Sequence, residues 1–164
     1  TPGVVAHWPG GLCLAFPGKD AVNGRIVMGV GDMNLTFKST LTSIIDFTIE
    51  NDFVTEIKGE GLDALHLREY MAAWNDRNAY GMSHVGWGMN PGAQWVSAAM
   101  YDKRDMQGVE FRALAGSFLW STGANQYAGR YTLGHFDLPM RNCTIALDGH
   151  VVVKDGVLQG DLAL

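Results

Sequence analysis

The stretch "SIIDFTIENDFVTEIKGEG", residues 43–61, decides the fold class. "IIDFTI" and "FVTEIKG" are runs rich in β-branched and aromatic residues, and the polar "END" between them predicts a hairpin. At the other end of the chain "TIALDGHVVVKDGVLQG", residues 144–160, repeats the design, with "DG" twice as a turn. Upstream, "RIVMGVGDMNLTF", residues 25–37, reads as a strand broken by glycines. Between the hairpins, "LDALHLREYMAAWND", residues 62–76, places Leu62, Leu65, Met71 and Trp74 at helical spacing, with Leu67 and Tyr70 close by, and predicts an amphipathic helix. A shorter helix is expected within "NPGAQWVSAAMYDK", residues 90–103, with Pro91 near its first turn. The expectation is an α+β fold of mostly antiparallel strands and hairpins with one or two packed helices, in one unit over residues 1–164.

Composition excludes several function classes. The 164 residues are 47% hydrophobic and 18% charged, enough apolar material for a core and too little charge for a disordered chain. Net charge is −5 and no basic patch stands out, which argues against a nucleic-acid partner. No apolar run approaches the roughly 20 residues of a membrane-spanning helix. With two cysteines only, Cys13 and Cys143, a reduced cytoplasmic setting is the simpler reading. The chain starts at Thr1 on "GVVAHW", an apolar run that reads as a strand already under way. The N-terminal part of a larger protein is therefore expected to be missing.

Histidines carry the chemistry. In "RYTLGHFDLPMRN", residues 130–142, His135 and Asp137 are next-but-one neighbours, and on a strand such neighbours share a face. An imidazole beside a carboxylate can be a buried hydrogen-bonded pair, half of a catalytic dyad, or two ligands of one metal ion. His84 lies in "YGMSHVGWGMNPGAQW", flanked by glycines that let backbone come close and followed by the turn-forming Asn90-Pro91. It is either a buried histidine bonded to a carbonyl or a metal ligand at a strand end. Two imidazoles and one carboxylate on one face of a divalent iron leave coordination positions open, while zinc accepts the same ligands. His7, in "VVAHWPGG", is either a strand-end histidine or an acid–base group facing a pocket. His66 and His150 read as solvated or boundary residues.

Over "NAYGMSHVGWGMNPGAQW", "GSFLWSTGAN" and "GHFDLPMRNCTIALDG", and along essentially the whole chain, the sequence resembles the 2,5-dihydroxypyridine 5,6-dioxygenases. These are ring-cleaving enzymes of nicotinate and nicotine breakdown, related to the M29 leucyl aminopeptidases. The resemblance implies the C-terminal domain of an M29-like fold, with an N-terminal domain that completes the pocket and is absent here. It implies a mononuclear non-haem Fe(II) site at His84, His135 and Asp137, and His7 as the histidine near the substrate. It also implies that 2,5-dihydroxypyridine and O2 give N-formylmaleamate, in a homo-oligomer. Trp87, Trp95 and Trp120 offer flat walls for an aromatic ring, although core packing is the stronger expectation for at least two of them. Ser121 and Thr122 are candidates to hydrogen-bond substrate or oxygen. The alternatives are an M29-like metallo-aminopeptidase, with Glu56 or Glu60 as remnants of a two-metal pattern, and a non-catalytic fragment that serves assembly.

Overall fold

The structure is a computed structural model and describes residues 11–163. The first strand-like run, with His7, lies outside the described residues. The strands are β1 (Leu12–Ala15), β2 (Gly24–Met28), β3 (Met33–Asn34), β4 (Ser39–Thr40), β5 (Ile45–Glu50), β6 (Phe53–Lys58), β7 (Met82–Gly88), β8 (Phe118–Thr122), β9 (Phe136–Met140), β10 (Ile145–Leu147), β11 (His150–Lys154) and β12 (Val157–Leu158). The helices are α1 (Leu62–Ala73), α2 (Ser97–Met100) and α3 (Val109–Ala113). All strand pairing within these elements is antiparallel, so the α+β expectation holds. No helix among the described residues is long and apolar enough to cross a membrane.

The three hairpin turns form for one reason. Asn51 and Asp52 between β5 and β6, Asp148 and Gly149 between β10 and β11, and Asp155 and Gly156 between β11 and β12 all have positive φ. Two successive positive-φ residues are what a two-residue turn matched to strand twist demands, and Asn, Asp and Gly tolerate it best. The sheets that result are β2-β5-β6, β10-β11-β12, the pair β3-β4, and the four-stranded β1-β7-β8-β9.

The helices depart from expectation in detail. The buried stripe of α1 is Ala64, Leu67 and Met71, whereas Leu62 is 66% exposed and Leu65 and Trp74 are also exposed. Ala64, Leu67 and Met71 keep the i, i+3, i+7 spacing, so a small residue rather than a large one sets the inward face. Asp63 ties the first turn down by accepting from the backbone N–H groups and hydroxyls of Thr42 and Ser43. The helix stops at Ala73 because Asn75 turns left-handed, at φ 49°, and Asp76 caps the next turn. The second helix shrinks to the four residues of α2, and α3 escapes sequence reading because five residues carry almost no periodicity.

The main core packs one face of the β1-β7-β8-β9 sheet against β5 and α1, through Phe47, Leu67, Met71, Trp120, Phe136 and Leu138 among others. Trp120 meets Phe47 edge-on at 4.8 Å, in the geometry ring quadrupoles favour. Beneath it lies a buried charge knot. The Asp52 carboxylate is fully buried and accepts from the backbone N–H of Asp20 and Val22 and from Arg130 Nη1 at 2.9 Å. Arg130, itself buried, also donates to the Met82 carbonyl, and the Met82 N–H donates to the Asp52 carbonyl at 2.7 Å. The loop before β2, the β5–β6 turn and the start of β7 therefore meet at one ion pair.

Burial pushes the Asp52 carboxyl upward, but the Val22 N–H, Arg130 and the Asp20 N–H outweigh it, so the group stays below the ordinary carboxylate value. A depressed folded-state value contributes stability above the ordinary pKa and loses it as pH falls through the folded one. Asp52→Asn keeps the turn-compatible shape and removes the charge. It is expected to cost about 3–5 kcal/mol at neutral pH, as for a buried pair that loses one partner. Thermal unfolding from pH 7 downward should show the gap to wild type closing as the wild-type carboxyl protonates.

Candidate metal centre

Strand register builds the site. Across β7, β8 and β9 the partners Val85, Trp120 and Leu138 lie in line, and all three side chains belong to the core face. Ser121 pairs with Asp137 one step along, so by alternation both point to the opposite face. The β7–β8 register shifts between Met82 and Val85, a bulge that contains Ser83 and His84. Such a bulge re-aims side chains, and it delivers His84 to the face that carries Asp137.

The Ser121 hydroxyl closes the bulge. It accepts from the His84 backbone N–H at 3.1 Å and donates to the His84 carbonyl at 3.2 Å. His135 arrives from the loop before β9, next to Gly123. That glycine has φ 122°, and a Cβ there would run into the Gly134 carbonyl and lie 3.1 Å from His135 Cα. Only a residue without a side chain lets the two segments pass so closely.

The three groups lie together. One donor atom from each of His84, His135 and Asp137 lies within 4.8 Å of the others. Asp137 Oδ1 sits 3.4 Å from His84 Nε2 and 3.3 Å from His135 Nε2. The His84 and Asp137 side chains are 12% exposed and that of His135 is 45% exposed, so the cluster opens to solvent on the His135 side. Asp137 Oδ1 is buried without a hydrogen bond. Its contacts to the imidazoles exceed a good N–H···O length. Two donors about 2.1 Å from one shared ion, at right angles, would stand about 3.0 Å apart. A divalent cation therefore fits this donor set, and it would satisfy an oxygen that otherwise bears a burial cost.

Two further residues shape the electrostatics and walls. Arg112, on α3, places Nε 3.2 Å from Asp137 Oδ2. Burial pushes the Asp137 carboxyl upward, but the His135 imidazole, Arg112 and His84 together hold it below the ordinary value, so it is ionised at neutral pH. Phe16 stands edge-on to the His84 ring at 5.7 Å and touches Tyr127 at 5.5 Å. Both Arg112 and Phe16 escaped sequence reading. Each is remote in sequence from the histidines, and no local pattern marks it.

The other candidates separate. Ser121 and Thr122 are fully buried, and the Ser121 hydroxyl is committed to the backbone of His84. Trp120 is a core residue, and Trp87 pairs with Phe118 on the core-facing side of the sheet. Trp95 packs on Phe111 and donates to the Gly31 carbonyl, so flat walls near the histidines come from Phe16 and Tyr127 instead. His66 and His150 are exposed, as expected. Glu56 pairs with Lys58 at 2.9 Å on β6, and neither Glu56 nor Glu60 belongs to a donor cluster among the described residues.

The fold and site together define an α+β domain that gathers two histidines and one aspartate on the outer face of an antiparallel sheet. The sequence model of the family described as 2,5-dihydroxypyridine 5,6-dioxygenase matches residues 1–160. A 2,5-dihydroxypyridine 5,6-dioxygenase of Pseudomonas putida KT2440 is 43% identical over 157 residues, 94% of this chain and 45% of that protein. A solved structure of 2,5-dihydroxypyridine dioxygenase from the same organism superimposes with a TM-score of 0.90 at 41% identity, over 96% of this chain and 46% of that one. The chain belongs to the 2,5-dihydroxypyridine 5,6-dioxygenase family, and spans a little under half the length of these relatives.

Ser121→Ala should lower folding stability by about 1–3 kcal/mol, because it removes a buried hydroxyl that bonds both the N–H and the carbonyl of His84. Thermal unfolding and metal titration should fall together. Unchanged stability with only a raised substrate KM would instead return Ser121 to a substrate-binding role.

Proposed function

We propose that His84, His135 and Asp137 hold a single Fe(II), and that the protein uses it to cleave the ring of 2,5-dihydroxypyridine with O2, giving N-formylmaleamate. Both oxygen atoms enter the product, so the reaction balances without a further reductant. The observation that carries the reading is the convergence of two imidazole nitrogens and one buried, otherwise unbonded carboxylate oxygen in a chain of this family. Two imidazoles with one carboxylate on one face are the ligand set of non-haem Fe(II) oxygenases. The ion would supply Lewis acidity, redox capacity and open coordination positions.

The chain's own residues do the rest. Ser121 fixes the His84 backbone, and Arg112 balances the Asp137 charge. Phe16 offers an apolar edge beside the site, suited to a small flat ring. His7 is proposed to orient the substrate or exchange its hydroxyl proton. A substrate held between such groups reacts faster through proximity and orientation. We further propose that residues beyond this chain complete the pocket, a reading supported by relatives about twice as long. Exposed Tyr127, Tyr131 and Leu133 support association with further copies. Two free cysteines support a reducing, cytoplasmic setting.

His135→Ala and His7→Ala are expected to fail differently. Loss of a ligand should cut iron occupancy 10-fold or more, since even outer partners of a metal site cost about 10–100-fold. Loss of an acid–base group should keep the iron and slow single turnover by roughly 10²–10⁴-fold. Iron content and rapid-quench rates on both variants decide it. His7→Ala shedding iron while His135→Ala retains it would reverse the two roles.

Turnover by the 164-residue chain should also fall far below that of a protein of the relatives' length, both loaded with Fe(II). A pocket without one wall neither excludes water nor holds a near-attack geometry. Equal steady-state rates would show that residues 1–164 suffice.

A further inference from the structure

We propose that Arg112 is a positioning residue that restricts Asp137 to one ligating oxygen, and so keeps open a coordination position that the carboxylate would otherwise close. The inference rests on the metal reading above and concerns a residue that neither the sequence nor the family brought forward.

The two oxygens of Asp137 have different surroundings. Oδ1 faces both imidazoles, at 3.3 and 3.4 Å, while Oδ2 faces Arg112 Nε at 3.2 Å, an ion pair whose Nε does not reach hydrogen-bond geometry. A carboxylate with both oxygens free can bind a cation through one or through both. Here the guanidinium competes for Oδ2. The Asp137 side chain is 12% exposed and that of Arg112 31%, so water screens their attraction less than it would at the surface. To turn Oδ2 toward a cation beside Oδ1, Asp137 would have to give up this ion pair.

Both partners are held in place. The Asp137 carbonyl accepts from the Leu35 N–H at 3.1 Å, and its strand register is locked to Ser121. Arg112 projects from α3, which is anchored by buried Phe111 and Ala113. Its Nη2 donates to the Gln107 carbonyl at 3.1 Å. Gly108 makes room for it: with φ 80°, a Cβ there would stand 3.0 Å from Nη2 and 2.9 Å from Leu35 Cδ1. A planar guanidinium loses less freedom on being fixed than a lysine ammonium, which suits it to hold one carboxylate oxygen in one orientation.

The consequence is countable. If Asp137 gives one oxygen, three protein donors leave about three positions on an octahedral ion, and if it gives two, about two remain. Mn(II) alone is the probe, because water-proton relaxation reports how many waters it carries when bound. Wild type, Arg112→Ala and His135→Ala are titrated with Mn(II), and unfolding of the metal-free proteins checks that each is folded. The expected result is one strong Mn(II) site in wild type, lost in His135→Ala. In Arg112→Ala the site should persist with about one water fewer, a fall of roughly a third in inner-sphere relaxation per bound ion. Unchanged hydration in folded, Mn(II)-loaded Arg112→Ala would overturn the role of Arg112 and leave the metal site standing. Wild type that binds Mn(II) no better than His135→Ala would overturn both. Should Arg112→Ala fail to fold, Arg112→Gln keeps the side-chain length without the charge and is judged by the same count.

Discussion

The bulge in β7 is the constraint on which the site depends. Counted from Met82, whose side chain faces the core, strict alternation along β7 would turn His84 toward the core as well. The extra residue between Met82 and Val85 breaks that alternation and re-aims His84. Within the bulge the buried Ser121 hydroxyl bonds both backbone groups of His84, as acceptor from the N–H and donor to the carbonyl. The same residue pairs in register with Asp137, so one position on β8 both closes the bulge and sets the carboxylate beside it.

Below this arrangement, the Asp52–Arg130 pair fixes where β7 begins. It bonds both backbone groups of Met82, two residues before His84. Arg130 also opens the segment that leads to His135, so the two histidine-bearing segments are referenced to one buried charge. A buried pair of this kind offers specificity of placement more than net stability, because desolvation offsets much of its Coulomb gain. The main core carries apolar burial on the other side of the sheet, while His84, Ser121 and Asp137 take the opposite face.

The parts legible in the sequence are those written in local pattern. The β5–β6 and β10–β11–β12 hairpins announce themselves through Asn-Asp and Asp-Gly turns that few other residues could occupy. The position of α1 is likewise local, but its buried face is not, because Ala64 contributes inward without a hydrophobic signature. His135 and Asp137 were readable as a pair from their next-but-one spacing, although His135 lies just before β9 and not within it. His84 was readable by itself as one of two alternatives, a carbonyl-bonded histidine or a ligand, and the resemblance grouped it with them, because no local rule reveals a bulge so far away in sequence. Arg112 and the true partner of Ser121 were illegible for the same reason: their roles exist only once α3 and β8 are in place. Core packing of at least two of the three tryptophans was expected, and Trp120 and Trp95 take it.

The proposed iron would sit among His84, His135 and Asp137. Anomalous diffraction at the iron edge, on crystals loaded anaerobically with Fe(II), tests it most directly. A single strong peak is expected about 2.0–2.2 Å from His84 Nε2, His135 Nε2 and one oxygen of Asp137. A peak elsewhere, or none at these intact side chains in crystals whose solution form binds iron, would contradict it.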